Sequence, residues 1–132
     1  MKKFENFKKN LRVLRLSKDQ DLTNEFIVGG IIDKFYIQFE LSWKVLKELL
    51  ILEGVAEAKT GSPRDIIKMS YKFFDFIDEN SWLSMLSDRN SVAHIYDENA
   101  AKLLVDRIIN SYITAFDELE NNINKRCSED FS

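Results

Sequence analysis

The sequence holds one cysteine (Cys127), one histidine (His94), one proline and four glycines in 132 residues. A lone cysteine excludes an intrachain disulfide framework and any multi-cysteine metal site. A lone histidine excludes a histidine-rich metal centre built from a single chain. So few glycines and prolines leave too little turn material for an all-β chain. No apolar stretch approaches about 18 residues without a charge, which excludes a membrane span. Residues 1–20 hold seven basic side chains around short apolar steps and have no long apolar run, so they do not read as a secretory signal. A cytoplasmic protein with no metal and no cofactor is expected. The length fits one domain over residues 1–132, and 45% hydrophobic residues supply enough apolar surface for a core.

The formal net charge of −3 does not predict a nucleic-acid binder. The charge is uneven, however. Residues 1–18 carry Lys2, Lys3, Lys8, Lys9, Arg12, Arg15 and Lys18 against Glu5 alone, whereas residues 117–132 carry five acids against Lys125 and Arg126. This pattern fits a solvated helix face and an acidic tail. It also fits a basic stripe that meets a phosphate backbone or an acidic partner.

Helical periodicity dominates the chain. Phe4, Phe7, Leu11 and Leu14 recur at steps of three and four and predict a first helix. A long second helix is expected from Thr23 or Asn24 to Glu53, on a stripe of Val28, Ile32, Phe35, Phe39, Ser42, Leu46 and Leu49 that only Ser42 interrupts. Gly29-Gly30 either delays its start or permits close helix approach, and Gly54 suits its C-terminal end. Ser62-Pro63-Arg64-Asp65 is a helix start, with Ser62 as cap and Pro63 in the first turn. That helix should run to about Phe76. Asn80 or Ser81 should cap a fourth helix reaching the 89–94 region, and Asp97 the last long one, striped by Ala101, Val105, Ile108, Tyr112, Ala115 and Leu119. The sum is an all-α, antiparallel up-and-down helical bundle of four main helices plus a short one.

One segment carries chemistry. Residues 86–98, Leu-Ser-Asp-Arg-Asn-Ser-Val-Ala-His-Ile-Tyr-Asp-Glu, contain the only histidine with Arg89, Asn90 and Tyr96 close by. On a regular helix Asn90 and His94 share a face, while Arg89 and His94 lie about 140° apart and converge only if His94 lies past the helix end or the arginine reaches round. An arginine fork grips a phosphate, and an imidazole moves a proton near neutral pH. Arg89, Asn90 and His94 therefore form a minimal kit for metal-free phosphodiester cleavage, and a two-fold dimer would supply a second imidazole. The plain alternative is a capping or core histidine, with Asp88 and Asp97 paired to Arg89. Among the remaining side chains, Phe35, Phe39 and Trp43 read as core or dimer contacts. Glu40 and Lys44 form an i,i+4 surface pair unless Glu40 points inward, where it would need a partner.

Arg89-Asn90-x-x-x-His94-x-Tyr96 resembles the extended R-x4-H-x-Y motif of the HEPN superfamily. Phe35-x-x-x-Phe39-Glu40-Leu41-x-Trp43-Lys44-x-x-Lys47, the Ser62-Pro63-Arg64 helix start and Trp82-x-x-Met85-x-x-x-Arg89-Asn90 resemble one branch of it, the nucleotidyltransferase substrate-binding proteins. The likeness spans roughly residues 27–116.

That resemblance implies a bundle related to the C-terminal domain of larger nucleotidyltransferases such as the kanamycin-modifying type. It implies a homodimer, and a partner that is a separate minimal nucleotidyltransferase; this chain is not itself the transferase. In one picture it is the substrate-binding or regulatory subunit, with RNA or a nucleotide as a further ligand. In the other it is a metal-independent ribonuclease toxin of a toxin–antitoxin pair, acting through Arg89 and His94 and silenced by adenylylation of Tyr96. Glu40, Lys44, Lys47, Arg64 and Asp88 stand as supporting residues. A third reading, from the periodicity alone, is a helical adaptor without chemistry.

Overall fold

Four buried side chains on one face of the first helix, Phe4, Phe7, Leu11 and Leu14, begin the core. The computed structural model describes residues 2–130, with side chains to Cys127. Helix α1 spans Lys2–Leu14 and passes into a 3-10 turn, Arg15–Asp19. Helix α2, Glu25–Leu52, is capped by Asn24, whose side chain accepts from the amides of Phe26 and Ile27 at 2.9 and 3.4 Å. It ends at Glu53, and Gly54 follows at φ +87°, a conformation glycine adopts without a Cβ penalty. Gly29 and Gly30 neither delay the helix nor admit a neighbour: α2 starts before them, and a Cβ at either would meet nothing within 4 Å.

The stripe of α2 holds two polar interruptions rather than the one expected. Ser42 Oγ donates to the Gln38 carbonyl at 2.5 Å. Gln38 is itself fully buried; its amide donates to the Phe7 carbonyl and its oxygen accepts from Asn10 Nδ2 at 2.8 Å. These bonds fix α1 against α2 and satisfy groups that would otherwise be costly to bury.

A 3-10 turn, Ala56–Thr60, leads to α3, Pro63–Phe73. Its start is a reciprocal capping box between Ser62 and Asp65. The helix stops short of the expected Phe76 because Phe74 turns extended and is buried with Ile77. Helix α4, Glu79–Asn90, is preceded by Asp78 in the cap position, not by Asn80 or Ser81; Ser81 Oγ donates to Asp78 at 2.7 Å. A single turn, α5 (Ala93–Tyr96), and then α6 (Glu98–Arg107) follow, with Asp97 capping α6 as expected. A π turn, Ile108–Tyr112, joins α6 to α7, Ile113–Asp130. Among the described residues there is no strand, and the fold is an all-α bundle.

Aromatic rings join the helices. Phe35 of α2 stacks on Tyr112 at 5.4 Å, and Trp82 of α4 meets Phe116 of α7 edge-on at 5.7 Å. Side chains of this kind each contribute about 1.5–3 kcal/mol on burial. The uneven charge is partly internal: Arg15 pairs with Asp117 at 2.6 Å and also with Glu120, and Lys3 with Glu48 at 3.1 Å. Lys2, Lys9, Arg12 and Lys18 form no ion pair among the described residues. The side chains of Glu129 and Asp130, part of the expected acidic tail, lie outside the described residues. No helix among the described residues is long and apolar enough to cross a membrane.

Candidate functional site

The helix that carries Arg89 ends one residue later. Ser91 is extended, and its amide bonds back to the Ser87 and Asp88 carbonyls. His94 therefore stands on α5 rather than on a continuation of α4, and Asn90 and His94 do not share a helical face. The break removes the angular obstacle between Arg89 and His94.

Both side chains are held by α2. The Tyr36 hydroxyl lies 2.5 Å from His94 Nε2 and 3.3 Å from Nδ1, and the two rings meet edge-on at 5.4 Å. Either partner can be the donor, depending on the tautomer. One turn further along, Glu40 accepts a hydrogen bond from Arg89 Nη2 in an ion pair. Arg89 also donates to the Asn90 side-chain oxygen at 3.3 Å. Glu40 gathers two more groups: Trp43 Nε1 donates to it at 3.1 Å, and Lys44 Nζ stands 4.0 Å away. The i,i+4 pair expected from sequence is thus present, but the main partner of Glu40 is Arg89.

Burial holds the Tyr36 phenol above its ordinary pKa; the negative charge of Asp33 adds to this, and the positive charge of Arg89 opposes it. The phenol thus feels the charge of the guanidinium while its hydroxyl meets the imidazole. Tyr36 and Asp33 were absent from the sequence-derived set. The signal that would have found them is the series Asp33, Tyr36, Glu40, spaced three and four so that all three share one face of the helix.

His94 is half-buried and opens onto a cavity of about 470 Å3 between α2, α5 and α6. Tyr96 lines its mouth and is 86% exposed.

Asp88 does not pair with Arg89. It takes two hydrogen bonds from Arg107, at 2.8 and 2.9 Å, and one from the Tyr112 hydroxyl, which also meets Ser84 Oγ at 2.7 Å. Asp97 is a helix cap and does not pair with Arg89 either. Asp88 therefore anchors the end of α4 to the π turn, which leaves the next side chain, Arg89, directed to α2. The bond to Asp88 is the largest cause of a raised Arg107 pKa; burial first and the Asp88 bond second raise that of Tyr112, and the bond to Ser84 opposes them. Arg64 is exposed at the start of α3 and Lys47 half-buried on α2; neither bonds to the Arg89 cluster among the described residues. Trp43 packs partly buried on the core that encloses Phe35 and Phe39.

The elements define an all-α bundle whose second helix orients an arginine and a histidine from two successive short helices. The chain belongs to the family described as nucleotidyltransferase substrate binding protein like, whose model matches residues 2–125. It is also 26% identical over 89 residues to a protein of Haemophilus influenzae named probable ribonuclease HepT. That alignment covers 66% of this chain and 61% of the relative, so the chain spans under two thirds of that protein's length.

Proposed function

We propose that this chain is a metal-independent ribonuclease of the HEPN type, a cytoplasmic protein that works as a homodimer beside a separate minimal nucleotidyltransferase. The observation that carries the reading is the double anchorage of Arg89 and His94 on one face of α2, through Glu40 and Tyr36. Preorganised side chains of these types suit phosphodiester cleavage. Arg89 holds the phosphate, with Asn90 beside it. His94 takes the proton of the ribose 2′-hydroxyl as that oxygen attacks phosphorus, and a second imidazole from the other protomer protonates the departing 5′-oxygen.

The family description supports a nucleotidyltransferase partner. Tyr96 is the residue on which that partner would act. Its hydroxyl belongs to a highly exposed side chain two residues from His94, and a nucleotide phosphate there would add negative charge and bulk where RNA must enter. In this arrangement the pair is a toxin and its antidote. A self-associating face is supported by exposed apolar side chains on α1, α2 and the 3-10 turn between them. Val13, Leu16 and Ile37 are each about half exposed and Phe26 is 90% exposed, and two shallow depressions there share Val13 and Lys34.

A second reading, a substrate-binding or regulatory subunit that breaks no RNA itself, is favoured by the carboxylates of Glu25, Asp33 and Glu98 around the cavity, which oppose phosphate entry. One assay separates the two. RNA incubated in chelator with the purified chain is cleaved, and cleavage disappears in His94→Ala and Arg89→Ala; intact RNA under every condition leaves the second reading. Incubation with the partner transferase and ATP should add one AMP to Tyr96 by mass spectrometry. An unmodified Tyr96 beside an active transferase would remove that step.

A further inference from the structure

The two sides of His94 differ in kind. On one side stands Arg89, which does not line the cavity. On the other, the cavity has an almost fully buried apolar floor of Val28, Ile32 and Ala101. Its walls include the Tyr36 and His94 rings, and its rim carries carboxylates. Lys102, the one Lys or Arg lining it among the described residues, lies 3.7 Å from Glu98, so the two offset each other and Glu25 and Asp33 leave the lining net negative. Asp33 and Glu25 form no ion pair or side-chain hydrogen bond among the described residues. A phosphate is repelled from such a space. A flat, uncharged aromatic group is not: it can lie on the apolar floor and against the rings, and a carboxylate accepts from any amine on its edge. The volume, about 470 Å3, is within the range of small-ligand sites. Asp33 and Glu40 are two turns apart on α2, about 10 Å along its axis. This separation is comparable with the reach of one nucleotide from base edge to phosphate.

We propose that the cavity beside His94 is a nucleobase subsite, selective for the 6-amino group of adenine or the 4-amino group of cytosine over the 4-carbonyl of uracil, with Asp33 as the principal acceptor. The proposal rests on the ribonuclease reading and gives it direction: the phosphate faces Arg89, the base enters between α2 and α6, and His94 lies between them. Uracil presents a carbonyl where adenine and cytosine present an amine, so it meets Asp33 acceptor to acceptor.

The test uses the full chain and two independent measurements. Binding of AMP, CMP and UMP is followed by NMR shifts of His94 and of the Tyr36 ring. AMP and CMP should bind about tenfold more tightly than UMP, the scale of one hydrogen bond to a charged acceptor. Asp33→Asn should bring the ratio toward one, and Gly29→Phe, which places a ring in the open space at the cavity wall, should abolish binding of all three. In parallel, short RNAs differing at one position should be cleaved preferentially beside adenine or cytosine. Cleavage that needs His94 but ignores the base overturns the subsite and leaves the ribonuclease reading intact. Amine-selective binding without cleavage overturns the ribonuclease reading and leaves the subsite. Equal binding of the three nucleotides, or binding of a diamine such as putrescine in their place, shows a site of another kind and overturns the proposal.

Discussion

The Tyr36 hydroxyl and the His94 imidazole stand 2.5 Å apart although 58 positions separate them in sequence. The contact crosses from the middle of α2 to the single turn of α5. It orients a ring that would otherwise rotate freely, because α5 is only four residues long and buries none of its side chains. Tyr36→Phe keeps the ring packing and removes the hydroxyl. RNA cleavage should fall about tenfold or more through loss of orientation, while chain stability changes by only about 1 kcal/mol. Single-turnover kinetics beside thermal melts would check this; full activity in the variant would show that the hydroxyl is incidental.

The Glu40–Arg89 pair gives a prediction of opposite sign. The Arg89 side chain is 40% exposed and that of Glu40 31%, and pairs of this kind contribute about 0–1 kcal/mol. Glu40→Gln should therefore leave stability nearly unchanged. It frees the guanidinium from a competing anion, so RNA should bind more tightly, with a steeper dependence on salt, while turnover falls because Arg89 is no longer aimed. A titration of catalytically dead His94→Ala with and without Glu40→Gln isolates the binding effect. Weaker binding in the double variant would mean that Glu40 supports the phosphate site rather than restraining it.

Tyr112 and Tyr36 predict behaviour in alkali. Both phenols are held above the ordinary tyrosine pKa, with burial the largest cause in each. A proton held more tightly in the folded chain contributes stability that is complete below the unfolded value, near pH 10, and is lost as pH rises through the folded value. Unfolding free energy should therefore decline above about pH 10. Tyr112→Phe should start lower at neutral pH, having lost its bonds to Asp88 and Ser84, and decline less steeply. Denaturant melts at stepped pH values would reveal parallel slopes if this assignment were wrong.

Asp88 should matter more for folding than for chemistry. Asp88→Ala leaves Arg107 and Tyr112 without their shared acceptor at the π turn. A loss of about 2–3 kcal/mol is expected, in line with removal of a charged acceptor from several donors. Equilibrium unfolding reads the loss directly. A melting temperature equal to wild type would show that solvent replaces the network at no cost.

Gly30→Ala should stabilise. The residue lies in the interior of α2, it is exposed, and an added Cβ meets nothing within 4 Å. The expected gain approaches about 1 kcal/mol. The same variant tests the proposed self-associating face, since a methyl added beneath a tightly seated second protomer would weaken the dimer. Sedimentation measured alongside the melts distinguishes the two effects.

Local chemistry and period were readable from the chain alone. The stripes of α1 and of the last long helix, the capping box at Ser62 and Asp65, and the cap at Asp97 follow from neighbours within four positions, which is the range over which helix propensity and capping act. Arg89, His94 and Tyr96 could be nominated as a candidate site for the same reason: they are close together in sequence. Their partners were not. Glu40 binding Arg89, Tyr36 binding His94, and Asp88 turning from Arg89 to Arg107 and Tyr112 all join positions 19 to 58 residues apart. Such choices depend on which helix faces come together and on the break at Ser91. Burial of the whole core decides those together, since no short stretch holds enough apolar surface to decide them alone.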